Sequence, residues 1–300
     1  MRDSATAFAA LARRIDPGWR LLRATPMTGG VSAQVTALEV ERPGEPPLKL
    51  IARQHGAIDR AGNPHIARDE HRLLTIACSH GLAVPKPYFV DESCELFTDP
   101  VVVIAFIEGE TVFEPVERAG YLSQMAAELA RIHGVPASAE LSFLPEQGRG
   151  FGERPATLDE SMSEGRIREA LERARPVEPV NPATLLHGDF WPGNILWRDG
   201  ELAAVIDWED AKTGDPLSDL GSARLEMLFA LGEDAMREFT ARYVSLTSLD
   251  VGALPYWDLC AALRPCSALA TWGLDPQTEL RLRERHRWFV DEALRALARG

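Results

Sequence analysis

The positions of the hydrophobic residues divide the chain near residue 107. Before that point, apolar stretches bounded by turns predict strands over residues 19–27, 35–40, 48–53, 88–90 and 101–107. Residues 65–80 instead have apolar side chains at helical spacing, and Gly81 provides a stop. The first part of the chain is therefore predicted to be a strand-rich domain of the α+β class, interrupted by one helix.

After residue 107 the hydrophobic period lengthens to that of an α-helix. A polar linker at residues 108–111 precedes residues at three- and four-residue steps, namely Leu122, Met125, Ala126, Leu129, Ile132 and His133. Further helices are predicted over residues 158–174 and beyond Leu217, where the last of them covers residues 279–298. Residues 135–156 are predicted to form loops. We therefore expect two domains, residues 1–107 and residues 108–300.

The charge balance narrows the range of partners. The 300 residues include 32 Lys+Arg and 45 Asp+Glu, which gives a formal net charge of −13. This charge repels polyanions at long range, so neither nucleic acid nor an anionic membrane is expected as the main partner. The acidic surplus favours a cationic or hydroxyl-rich small-molecule ligand.

Cysteine usage and hydropathy favour a cytoplasmic protein. The four cysteines include no Cys-x-x-Cys pair and match neither a zinc site nor a secreted disulfide framework. The longest apolar run, residues 101–107, is far shorter than the ~20 residues that span a bilayer. The first fifteen residues lack a signal-peptide core.

The densest chemical signal lies in residues 185–209. An apolar segment leads into a polar loop, and a later strand ends on a carboxylate, which puts Asp189, Asn194 and Asp207 at loop and strand ends. We expect these side chains to converge. Carboxylate and carboxamide oxygens are hard donors suited to Mg²⁺, whose remaining ligands are often substrate phosphates. Phosphoryl transfer needs little more from the protein than such positioning.

Three motifs carry a resemblance to a known family. They are His187-Gly188-Asp189 with Asn194 five residues later, Ile206-Asp207-Trp208-Glu209, and Gly214-Asp215-Pro216-Leu217-Ser218-Asp219-Leu220. In order and spacing they resemble the aminoglycoside phosphotransferase and choline kinase branch of the protein-kinase-like fold. The resemblance implies a two-lobed α+β fold, with a nucleotide-binding lobe at residues 1–107 and a catalytic and acceptor-binding lobe at residues 108–300.

The resemblance also assigns roles to the residues of these motifs. Asp189 corresponds to the catalytic carboxylate, and Asn194 and Asp207 correspond to ligands of Mg²⁺. For the third motif, we expect Asp215 to support the catalytic loop, although it could simply organise a turn, and Asp219 could begin a helix as a cap. His187 is expected to be a hydrogen-bonded scaffold residue, since a carboxylate already fills the acid/base role.

Candidate nucleotide-binding residues lie upstream. Gly29, Gly30 and Ser32 resemble the family's nucleotide-positioning loop, although a plain hairpin turn fits the same residues. The strand over residues 48–53 should supply a basic residue for the α/β phosphates. Arg53 aligns best with that position, but Lys49 has the same parity and remains a rival.

Two further assignments complete the nucleotide site by resemblance. Glu70 is placed to pair with the strand base, although an exposed helix carboxylate is the alternative. Phe106 and Ile107 belong to a linker whose backbone hydrogen-bonds a purine. Because backbone contacts leave no side-chain signature, the choice between ATP and GTP stays open. The remaining candidate histidines show no metal-ligand spacing and are expected to be solvated or capping residues: His55, His65, His71 and His80.

The function implied by the resemblance is Mg²⁺-dependent transfer of the γ-phosphoryl group of ATP or GTP to an alcohol group. The acceptor would be aminoglycoside-like or another small molecule. One alternative is a metabolic kinase for choline-like, sugar or hydroxyacyl substrates. A second is a nucleotide-binding protein that has lost catalysis. The acceptor and the oligomeric state are left open by the sequence.

Overall fold

A computed structural model describes residues 4–27, 33–148, 151–174 and 180–299. Its N-terminal elements are α1 (Ser4–Ile15), β1 (Arg20–Pro26), β2 (Ala33–Glu41), β3 (Leu48–His55), α2 (Ala57–Gly62), α3 (Ile66–Ser79), β4 (Pro87–Asp91) and β5 (Val101–Ala105). The later elements are α4 (Arg118–His133), α5 (Glu164–Arg173), β6 (Thr184–Leu186), β7 (Ile195–Arg198), β8 (Glu201–Val205), β9 (Lys212–Gly214), α6 (Pro216–Leu231), α7 (Glu233–Leu246), α8 (Leu254–Ala262) and α9 (Pro276–Leu297).

The chain forms two compact units. The first contains Met1–Gly109 together with Ala203–Glu209, and the second contains Glu110–Leu202 and Asp210–Gly300. The change between the units at Gly109 lies two residues after the predicted boundary. Residues 203–209, which include the end of β8 and the motif residues 206–209, join the first unit although the sequence groups them with the later domain.

The first unit is built on a five-stranded antiparallel sheet in the order β1-β2-β3-β5-β4. Side chains alternate between the two faces of the central strand β3. Leu50 and Ala52 are buried in one cluster with Phe8 and Leu11 of α1. Arg53 has the opposite parity, so it belongs to the other face of the strand.

The second unit is mainly helical. Helix α6 is buried on nearly all sides and packs against α7, α8 and α9. Strand β6 pairs antiparallel with β9, and the first catalytic motif begins directly after β6.

Several predicted boundaries differ from the structure. The predicted helix at 158–174 is interrupted, because Ser163 has a φ of +59° and separates a 3₁₀ turn at Glu160–Met162 from α5. The predicted strand at 48–53 continues to His55, and the predicted strand at 101–107 ends at Ala105. Helices α1 and α2 were not predicted. No helix in the described part of the chain is both long and apolar enough to cross a membrane.

Candidate active site

The loop after β6 carries the predicted catalytic motif, and its turn requires glycine. Gly188 has a φ of +85°, in the left-handed region that side chains disfavour. A Cβ at this position would also collide with the backbone carbonyl of Asp210. Gly188 therefore fixes the direction in which the chain presents Asp189.

The same loop is anchored by the carboxylate of Asp219, from helix α6. Its Oδ2 accepts a hydrogen bond from the His187 N–H at 2.7 Å, and its Oδ1 accepts one from the Gly188 N–H at 2.8 Å. His133 Nε2 lies 3.2 Å from Oδ2. Burial by itself would raise the pKa of Asp219, but hydrogen bonding and the charge interaction with His133 hold this pKa below its usual value. Asp219 is therefore an ionised support for the loop.

The role of loop support that the sequence assigns to Asp215 was thus wrong, because Asp219 holds the loop. Asp215 is the N-cap of α6, where its Oδ1 accepts a hydrogen bond from the Leu217 N–H at 3.0 Å. Pro216 occupies the first helical position, which suits proline because no intrahelical N–H is needed there. The Asp-Pro pair was the signal that could have identified the cap.

His187 has the scaffold role that the sequence predicts. Its side chain is fully buried, and Nδ1 accepts a hydrogen bond from the Asp189 N–H at 3.2 Å. The imidazole also meets the Phe190 ring edge to face, at 6.1 Å between centroids. The ring therefore braces the loop from inside.

The side chain of Asp189 is held at both oxygens. Asn194 Nδ2 donates to Oδ2 at 3.0 Å and to the Asp189 carbonyl at 2.9 Å. Arg264 Nη2 donates to Oδ1 at 2.8 Å. The structure therefore brings Asp189 and Asn194 together and adds Arg264, which the sequence analysis missed. No short-range motif marks Arg264, because it lies 75 residues further along the chain.

Glu226, a second carboxyl group that interacts with Arg264, has a shifted pKa. Burial raises the pKa of Glu226 to about 7, with Arg264 opposing the rise and Asp189 adding to it. A carboxyl group with this pKa changes its charge near neutral pH. Arg264 thus interacts with Asp189, which it contacts at 2.8 Å, and with Glu226, a carboxyl group that titrates near neutral pH.

In the first unit, Arg53 lies among carboxylates. Its guanidinium lies 3.1 Å from Glu70 Oε1 and 3.6 Å from Asp207 Oδ1, and it forms an ion pair with Glu209. Burial by itself would lower the pKa of Arg53, but Glu70 and Glu209 raise the pKa above its usual value. The structure thus brings the predicted residues Arg53, Glu70 and Asp207 together.

Lys49, the rival base, has a different environment. Its ammonium group is exposed and pairs with Glu108 at 2.6 Å. The side chain of Arg53 is only 12% exposed, against 54% for Lys49. The two residues share a face of β3 but differ in partner and burial.

The expectation that His55 is solvated or capping was wrong. It is fully buried, and its Nε2 lies 2.8 Å from Glu70 Oε2. The cause is the strand boundary. Once β3 runs to His55, the two-residue period places this side chain on the same face as Arg53. His55 therefore fixes the carboxylate that Arg53 also contacts.

Asp207 follows the end of β8 in a conformation unusual for its residue type. Its φ is +64°, and its side chain is half-exposed. The next residue is tied down, since Trp208 Nε1 donates to the Val205 carbonyl at 3.1 Å. Strained backbone of this kind concentrates at functional sites. Because Asp207 belongs to the first unit and Asp189 to the second, their predicted convergence stays a prediction.

The remaining residues predicted to bind the nucleotide lie in the linker after β5 and in the segment of the chain between β1 and β2. The Phe106 N–H donates to the Lys49 carbonyl at 3.2 Å, so this donor is not available to a purine. Ile107 follows it and is half-buried. Gly29, Gly30 and Ser32 lie outside the described residues.

Comparison with known proteins gives a family match over most of the chain. A model of the phosphotransferase enzyme family matches residues 23–263. Acyl-CoA dehydrogenase family member 10 of Mus musculus is 25% identical over 189 residues, which are 57% of this chain and 18% of the mouse protein. The chain thus spans about a fifth of that relative's length. A homoserine kinase of Gluconacetobacter diazotrophicus is 25% identical over 154 residues, which are 47% of each chain.

The fold is shared with solved structures. The GDP complex of aminoglycoside 2'-phosphotransferase-IIIa superposes with a TM-score of 0.63, covering 99% of this chain and 98% of that one, at 18% identity. This likeness confirms the predicted α+β, kinase-like fold.

Proposed function

The chain belongs to the phosphotransferase enzyme family, and we propose that it transfers the γ-phosphoryl group of ATP or GTP to an alcohol group of a small molecule, with Mg²⁺. The observation that carries the proposal is the fixed geometry of Asp189. One of its oxygens is held by Asn194 and the other by Arg264, on a loop whose two preceding N–H groups are bound by Asp219.

Asp189 is the group proposed to receive the acceptor hydroxyl. Catalysis of phosphoryl transfer depends mainly on positioning and electrostatic stabilisation, with a carboxylate to orient the attacking hydroxyl or accept its proton. A carboxylate that is held at both oxygens does not have to be ordered when the acceptor binds. Asp189 therefore orients the hydroxyl at little entropic cost.

Asp207 and Asn194 have the donor chemistry that Mg²⁺ prefers. Asp207 offers a half-exposed carboxylate. Asn194 donates both of its described hydrogen bonds through Nδ2, so Oδ1 is its atom suited to a cation. When bound, the metal would neutralise charge on the phosphates. Within the described residues, no group of three or more His, Cys, Asp or Glu side chains could hold a metal by itself.

Arg53 is the proposed phosphate-binding base. A guanidinium binds phosphate oxygens bidentately, and Glu70, itself held by His55, orients this one. Glu209 and Asp207 lie against the same guanidinium. The nucleotide itself is supported by the GDP complex of the structurally similar aminoglycoside phosphotransferase.

A turnover assay tests the proposal. The chain would be incubated with Mg²⁺ and ATP or GTP and with panels of aminoglycosides, choline analogues, sugars and hydroxy acids, and phosphorylated product would be detected by mass spectrometry. We expect product with at least one class, and none with Asp189→Asn. If Mg²⁺-nucleotide binds but no class gives product, the alternative of a nucleotide-binding protein without catalysis is supported instead.

A further inference from the structure

The second unit contains an open cavity beside the loop that carries Asp189. Its volume is about 440 Å³, enough for a small metabolite, and its wall includes Gly188 and Arg264. The cavity therefore adjoins the group that is proposed to receive the acceptor hydroxyl. The other lining residues determine which acceptor fits.

Two nearly buried donors in this wall have no hydrogen-bond partner among the described residues. Arg168 is only 7% exposed; its Nε donates to Glu164 at 2.8 Å, but its Nη1 has no hydrogen-bond partner in the described part of the chain. Trp257 is 8% exposed, and its Nε1 likewise has no partner among those residues. Buried N–H groups are nearly always satisfied in folded proteins, since leaving one unsatisfied is costly. These donors point to a ligand that brings hydrogen-bond acceptors.

Lys212 adds a positive charge to the same wall. It is half-buried in β9, and within residues 4–27, 33–148, 151–174 and 180–299 it takes part in no ion pair within 4.0 Å. The neighbouring Arg168 is held in place by Glu164 and by the Phe151 ring, 5.9 Å from its guanidinium carbon. The guanidinium of Arg168 is therefore already held in place when an anion binds.

The carboxylates of the wall do not cancel this arrangement. Both oxygens of Asp219 already accept N–H groups of the catalytic loop. Asp210 is exposed to solvent. The wall also offers one buried acceptor without a partner among the described residues, Gln147 Oε1, which suits a hydroxyl group. A compound with an anionic group and a hydroxyl matches this combination of donors and acceptor.

We propose that this cavity binds the acceptor through a carboxylate or phosphate group, held by Lys212, Arg168 and the Trp257 indole N–H. The acceptor is thus a hydroxylated acid and not an amine. This inference rests on the proposed function, since the bound compound is an acceptor only if the chain transfers a phosphoryl group to it. It departs from the expectation of a cationic acceptor, which the net charge suggested, because local donors decide what a pocket binds.

Four three-carbon compounds of matched size test the proposal: glycerate, glycerol 3-phosphate, glycerol and the amine 2-amino-1,3-propanediol. Their affinities for the full chain would be measured by calorimetry without nucleotide. We expect glycerate, glycerol 3-phosphate or both to bind, and glycerol and the amine to bind at least about tenfold more weakly. The stronger of the two anions identifies carboxylate or phosphate as the preferred group.

Variants locate the binding. Lys212→Gln should weaken anion binding by about tenfold or more, since a charge-assisted hydrogen bond is lost. Trp257→Phe keeps a ring, removes only the N–H donor and should weaken it by about fivefold. Lys86→Gln, the same change at a lysine outside the cavity lining, should leave the affinity unchanged.

The proposal would be overturned if the amine binds as tightly as the anions, or if neither anion binds. It would also be overturned if neither Lys212→Gln nor Trp257→Phe changes the affinity for the anion. Because these titrations contain no nucleotide, they are independent of turnover. An anion could bind as expected while neither it nor any other hydroxyl compound is phosphorylated with Mg²⁺ and ATP or GTP. In that case the proposed function would be wrong and the anion site would still be supported.

Discussion

The carboxylate of Asp219, one turn inside helix α6, accepts the backbone N–H of Gly188 at 2.8 Å. It thereby fixes the residue that directly precedes Asp189. Because Asp219 is buried and also accepts the His187 N–H, the loop geometry depends on an acceptor at both oxygens.

The substitution Asp219→Asn should therefore affect both stability and catalysis. An amide NH₂ in place of one oxygen would face a backbone N–H, which leaves a buried donor unsatisfied. We expect a loss of about 1–3 kcal/mol in the free energy of unfolding and a large fall in kcat. Urea denaturation and steady-state kinetics measure the two effects.

Asp215→Asn is the matched control, since Asn is also a good N-cap. It should cost less than about 1 kcal/mol and leave kcat nearly unchanged. Should Asp215→Asn lower kcat more than Asp219→Asn does, the assignment of loop support to Asp219 and of the helix cap to Asp215 would be wrong.

Substitutions of Arg53 and Lys49, the two candidate bases of β3, should differ in their effect on nucleotide affinity. Arg53→Gln removes the guanidinium that Glu70 orients and should raise the nucleotide Kd by about tenfold or more, as expected for a lost charge-assisted bond. Lys49→Gln removes an exposed lysine paired with Glu108 and should change the Kd by less than about twofold. Calorimetric titration of Mg²⁺-nucleotide compares them. The reverse ranking would assign the phosphates to Lys49.

The candidate site shows where sequence reasoning succeeds and where it stops. The parity of β3 was enough to place Arg53 and Lys49 on one face, because alternation is local. His55 was misjudged only because the predicted strand ended two residues early. The contact of Arg264 with Asp189 Oδ1 could not be predicted, since it joins residues 75 positions apart.

Glu226 should make stability depend on pH. Its pKa in the folded protein is about 7, against a usual value of 4.5. The folded state therefore holds a proton that the unfolded state has released, and the free energy of unfolding falls as the pH rises from 4.5 through 7. The full difference corresponds to on the order of 3 kcal/mol.

Denaturation curves at several pH values test this dependence. Glu226→Gln should lose less stability than the parent between about pH 5 and pH 8. Glu114→Gln, a change at an exposed glutamate, should follow the parent. Parallel curves for the parent and Glu226→Gln would show that Glu226 does not titrate in this window.

The division of labour between Asp189 and Asp207 is the central claim, and nucleotide calorimetry with and without Mg²⁺ tests it most directly. Asp189→Asn should bind Mg²⁺-nucleotide nearly as the parent does while turnover collapses, because Asp189 acts on the acceptor hydroxyl. Asp207→Asn should lose Mg²⁺-dependent affinity as well as turnover, because a hard carboxylate ligand is removed from the metal. If both variants bind Mg²⁺-nucleotide like the parent, or if Asp189→Asn alone loses the metal dependence, the account is contradicted.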